Sequence, residues 1–100
     1  MLLQGKGSTM ATATLIVRHR VHDFGAWRAV YDDVDGLRHT HGCTDEEVLV
    51  DPADKAEVTV LHRFPTVEQA ESFAHSSELR EAMGRAGIDG PPRIEIAVEA

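Results

Sequence analysis

Three features of the chain predict an α+β fold of the ferredoxin-like βαββαβ type, a four-stranded antiparallel sheet with its helices on one face. Four stretches alternate apolar and polar residues with a period of two, as half-buried strands do. Two longer stretches repeat at the helical period, each following a strand. The halves also close alike, with His41-Gly42-Cys43 and Ala86-Gly87-Ile88 each preceding a strand, a weak internal duplication. Right-handed connections then leave the strand order 4-1-3-2.

Residues 12–21 form the first strand, with Leu15, Val17, His19 and Val21 on one face and Ile16, Arg18 and Arg20 on the other. One amphipathic helix follows, from an N-cap at Asp23 to a C′ glycine at Gly42. Phe24, Trp27, Val30, Tyr31, Val34 and Leu37 line its apolar face, and Arg28, Asp32, Asp33 and Asp35 its polar one. A second strand near 44–50 sets Val48 and Val50 on one face. Asp51-Pro52-Ala53-Asp54-Lys55 is turn chemistry and makes a hairpin. The third strand, about 56–64, alternates Val58, Val60, His62 and Phe64 against Thr59, Leu61 and Arg63. Pro65 ends it, and Thr66-Val67-Glu68-Gln69 has the form of a capping box. The second helix buries Val67, Ala70, Phe73 and Ala74, and Ser76 recaps it for a further turn or two with Leu79, Ala82, Met83 and Ala86 inward. Gly87 and Gly90-Pro91-Pro92 break the helix and lead into a last strand carrying Ile94, Ile96 and Val98.

Length and composition limit what such a fold can do. One hundred residues, 42% apolar and 27% charged, suit one globular domain. Residues 12–100 are read as that domain, and residues 1–11 as a disordered leader or an added extension, with Met10 a second possible start. No run approaches the roughly 18 apolar residues of a membrane span, and the first residues lack a signal-peptide core. A net charge of −7 argues against nucleic acid, whose phosphates need a basic surface. The single cysteine, Cys43, forms no intrachain disulfide, fits a cytoplasmic location, and is read as a small strand residue.

The sheet face away from the helices carries Ile16, Leu49, Leu61 and Ala97 among Arg18, Arg63, Thr59 and Glu95. A solvated antiparallel face is expected to be mostly polar. This mixed one suits a two-fold homodimer that packs sheet on sheet, a dimeric α+β barrel.

Chemistry is confined to a few side chains. The chain has 6 histidines, but no Cys, His or carboxylate cluster at zinc spacing. His39 and His41 fall at a helix end, where imidazolium is favoured by up to ~1 kcal/mol. Neither a metal nor a cofactor is expected. His19 and His62 face the helical layer from opposite ends of the sheet and meet Trp27 and Tyr31 there. Such histidines are either hydrogen-bonded core or part of a ligand pocket, in which a neutral imidazole can take a proton from a phenol or enol. Cavity volume separates the two readings, ligand pockets starting at about 300 Å³.

Three stretches carry a family resemblance: Val21-His22-Asp23-Phe24 with Trp27 and Tyr31, the run from Phe73 to Met83, and the turn Ala86-Gly87-Ile88-Asp89-Gly90-Pro91-Pro92. Together they resemble the dimeric α+β-barrel superfamily, in particular its antibiotic-biosynthesis-monooxygenase-like and polyketide-cyclase-like members. The resemblance implies sheet-to-sheet dimers with a pocket between sheet and helices. It also implies a cofactor-independent oxygenase or cyclase acting on a small aromatic or polyketide-like molecule. His19 and His62 are the expected proton-moving residues, and Trp27, Tyr31, Phe73 and Met83 the expected substrate-binding ones. Haem-degrading members carry Trp and His where this chain has Phe73 and Met83, so haem is not expected. The alternative is a non-catalytic dimeric module whose histidines and aromatics are core packing.

Overall fold

The structure is a computed structural model describing residues 12–100; the expected leader over 1–11 lies outside the described residues. Strands β1 (Ala13–Val21), β2 (Asp45–Asp51), β3 (Asp54–Phe64) and β4 (Ile88–Val98) form one antiparallel sheet in the order β2-β3-β1-β4. Helices α1 (Phe24–Asp33) and α2 (Asp35–Thr40) link β1 to β2, and α3 (Val67–Ala74) and α4 (Ser77–Arg85) link β3 to β4. This is the ferredoxin-like arrangement expected, with the expected strand order. Among the described residues no helix is long and apolar enough to cross a membrane.

Strand parity sets the core. Ala13, Leu15, Val17, His19 and Val21 of β1 and Val58, Val60, His62 and Phe64 of β3 are all buried under the helices. Trp27, Tyr31, Ala70, Phe73, Ala82 and Ala86 close over them. Among the described residues the other face carries no helix. There Ile16 lies opposite Leu61, and Leu49 is 46% exposed.

The expected single helix from Asp23 to Gly42 is in fact two, broken at Val34 (φ −103°, ψ 22°). Asp32 and Asp33 crowd negative charge at the C-terminal end of the first stretch, where the helix dipole opposes it. β-Branched Val34 and Gly36 are weak helix formers on either side of Asp35. Restarting at Asp35 puts that carboxylate in a first turn and Arg38 and His39 in a last turn, the favourable polarity. Gly42 then reverses the chain at φ 94°, a region that favours glycine.

Two further boundaries differ from expectation. Cys43 precedes β2 instead of lying in it, buried, with Sγ donating to the Asp45 carbonyl at 3.3 Å. Strand β4 begins at Ile88 and includes Gly90-Pro91-Pro92. Proline is tolerated because β4 is an edge strand, and the pairing jumps there from Arg18↔Arg93 to Arg20↔Asp89. Both caps of the second half match expectation: Thr66 accepts from Gln69 N and Ser76 from Leu79 N, each at 3.1 Å.

Candidate functional site

All six residues singled out in the sequence, His19, Trp27, Tyr31, His62, Phe73 and Met83, line one cavity between the sheet and the helices. Strand parity delivers the histidines: His19 pairs with Val58 and His62 with Leu15, so they stand at opposite ends, as expected. Helix spacing delivers the aromatics, Trp27 and Tyr31 being one turn apart on one face. The rings form a continuous row. His19 lies 5.6 Å from Trp27, Trp27 stacks on Tyr31 at 5.0 Å, Tyr31 stacks on His62 at 5.8 Å, and Phe73 meets His62 edge-on at 5.7 Å. Val17, Val30, Val34, Val60, Leu79 and Ile88 complete apolar walls. The cavity itself is small, about 50 Å³.

A polar network at one end escaped the sequence reading. Tyr31 Oη hydrogen-bonds the Glu46 carboxylate and lies 2.9 Å from His62 Nε2. Glu46 is the cross-strand neighbour of His62. Arg38 is 2% exposed, and its guanidinium lies over the Tyr31 ring at 3.8 Å. Its Nη1 donates to the Tyr31 carbonyl at 2.9 Å and its Nη2 to Asp35 at 3.2 Å. Its Nε sits 3.2 Å from Glu46 Oε1 as an ion pair, out of line for a hydrogen bond. The helix break explains the arrangement, because Arg38 takes up a carbonyl that an unbroken helix would have used. Two signals in the sequence mark these residues. Arg38 lies seven residues after Tyr31, on the same helical face, and Glu46 shares the inward parity of Val48 and Val50.

Burial decides the protonation states. Desolvation, reinforced by the Arg38 charge, pushes His62 from 6.5 down to about 4. Desolvation also lowers His19. Burial and the bond to Glu46 raise the Tyr31 hydroxyl well above its ordinary value, against the pull of Arg38. Near neutral pH the cavity therefore holds two uncharged imidazoles and a protonated phenol. Among the described residues neither ring nitrogen of His19 has a hydrogen-bond partner, nor has His62 Nδ1. The Cys43 thiol is raised by burial and is a poor nucleophile.

The remaining histidines lie elsewhere. His41 packs edge-on against Phe73 at 5.5 Å, and His75 is exposed. His39 joins Asp35 and Glu46 in a group whose donor atoms lie within 4.8 Å of one another. The Arg38 guanidinium bridges both carboxylates of that group, and a cation there would have to displace it.

No family model matches the chain, and no curated protein matches it. Solved structures do. A candidate antibiotic-biosynthesis monooxygenase from Bordetella bronchiseptica superposes with a TM-score of 0.77 at 14% identity, over 90% of this chain and 98% of that one. SnoaB, a cofactor-independent oxygenase from Streptomyces nogalater, gives 0.69 at 9% identity over 90% and 92%. A Nitrosomonas europaea protein of unknown function, NE2512, gives 0.72 at 18% identity over 91% of each chain. At such identities the likeness is one of architecture, and the chain has the fold of the antibiotic-biosynthesis-monooxygenase-like proteins.

Proposed function

We propose that the protein is a homodimeric small-molecule-binding protein that works as a cofactor-independent oxygenase or cyclase on an aromatic, polyketide-like substrate. The observation that carries this reading is the pair of buried imidazoles. His19 and His62 line one apolar cavity, and three of their four ring nitrogens have no hydrogen-bond partner among the described residues. Buried polar atoms without partners are rare in cores. A guest with hydroxyl or keto groups satisfies them, while its flat body lies along Trp27 and Tyr31. A neutral imidazole is also the form that accepts a proton from an acidic phenol or enol. The fold shared with SnoaB supports the same chemistry.

A 50 Å³ cavity falls far below the ~300 Å³ of ordinary ligand sites, so the guest must widen it. Leu79 and Met83 of α4 are only partly buried, and they form the wall that yields. By the volume criterion the small cavity favours the second reading, a non-catalytic dimeric module with a filled core. In both, the dimer forms through the open sheet face. There Ile16 and Leu61 lie between charged rows, and Arg18 stands opposite Arg93, which is paired with Glu95 of its own strand at 3.1 Å.

Oxygen uptake and product analysis on a panel of phenolic and enolic aromatics separate the readings. For the enzyme, the wild type consumes oxygen with one of them or converts it to a cyclised product, and His19→Ala loses that activity while sedimenting as a dimer. No oxygen uptake and no cyclised product with any compound, together with a His19→Ala protein that is merely less stable, favours the module.

A further inference from the structure

We propose that Tyr31 and Glu46 are positioning residues that fix the tautomer of His62 and give its proton a route out of the cavity. The inference rests on the reading of the cavity as a proton-abstracting site, but its test needs no substrate. A carboxylate only accepts hydrogen bonds, and a tyrosine hydroxyl has one proton to give. Because Tyr31 donates to Glu46, its oxygen is left as the acceptor for the group 2.9 Å away, His62 Nε2. Nε2 therefore carries the hydrogen and Nδ1 the free lone pair. Nδ1 is the buried ring atom of His62 without a partner among the described residues, and its lone pair becomes the proton acceptor.

The same three groups connect inside to outside. Tyr31 and Arg38 belong both to the cavity wall and to a surface depression of about 450 Å³ that Glu46 also lines. Proton abstraction then runs as a relay. The substrate O–H bond breaks as an N–H bond forms at Nδ1, and the Nε2 proton passes to Tyr31 Oη. The hydroxyl's own proton passes to Glu46, which faces the depression and exchanges with water. The electron pair of the broken bond stays on the substrate oxygen, and no group changes oxidation state. His62 never holds two protons, which its surroundings oppose. Arg38 repels an imidazolium, Phe73 cannot solvate one, and the hydrogen bond at Nε2 goes to a hydroxyl that itself donates to Glu46.

The tautomer is readable by ¹⁵N NMR of the labelled full chain. The expected result is an Nε2–H imidazole at His62 in the wild type. In Glu46→Ala the Tyr31 hydroxyl loses its acceptor and turns to donate to Nε2. The Nδ1–H to Nε2–H ratio then rises about tenfold, the worth of one hydrogen bond. In a Tyr31→Phe background the Glu46→Ala change has no effect on that ratio, because the link runs through the hydroxyl. A wild type in the Nδ1–H form, or an unchanged ratio in Glu46→Ala, overturns the proposal. If Glu46→Ala does not fold, the wild-type tautomer still decides. A failed tautomer test leaves the binding reading standing, and failed binding leaves the tautomer standing.

Discussion

His62 couples the site to the stability of the fold. Its neutral form is favoured on folding, so it holds the folded value near 4 against 6.5 for the free side chain. That stabilisation is complete above about pH 6.5 and is lost as pH falls through the folded value near 4. The difference corresponds to roughly 3 kcal/mol. A His62→Gln protein keeps a hydrogen-bonding group beside Tyr31 but has no proton to gain. Urea midpoints measured between pH 7 and pH 4 are expected to fall more steeply in the wild type than in His62→Gln. Parallel curves would contradict the buried, neutral imidazole. The six cavity residues were legible because parity and helical spacing decide which way a side chain faces. Arg38 and Glu46 were not read, because charged residues are ordinarily assigned to solvent. Their inward positions are explained only by the carbonyl, the hydroxyl and the ring that they meet.

At the scale of elements, local signals carried most of the architecture. Asp23, Thr66 and Ser76 each cap a helix with the side chain that its sequence position implied. The break at Val34 was hidden because the apolar stripe continues across it. Periodicity reports which face is buried, and it does not report whether the hydrogen-bond ladder is unbroken. The early start of β4 was hidden for a related reason, since proline is excluded from central strands and allowed at an edge. Removing one cap tests the local account. Thr66→Ala is expected to cost about 1 kcal/mol, measured by urea unfolding, with the Trp27 emission of the native state unchanged. A loss near zero would mean that tertiary packing alone holds the start of α3.

For the molecule as a whole, the two sides of the sheet do different work. The helical side buries the aromatic row and the histidines. The open side leaves Leu49, Leu61 and Ile16 beside Arg63, which is bound to Asp45 and Glu47 on β2. Its alternation of apolar and charged residues was legible. Cavity size was not legible, because it depends on how far α4 settles onto the sheet, to which no single residue type bears witness. The reading of the protein as a binder therefore turns on whether that layer opens. Trp27 is the only tryptophan, 3% exposed and in the cavity wall, so its fluorescence reports directly on a guest beside it. Titration with a panel of planar phenols and enols is expected to give a saturable change in Trp27 emission for at least one of them, weakened in His62→Gln. Emission that stays constant across the whole panel would contradict the account.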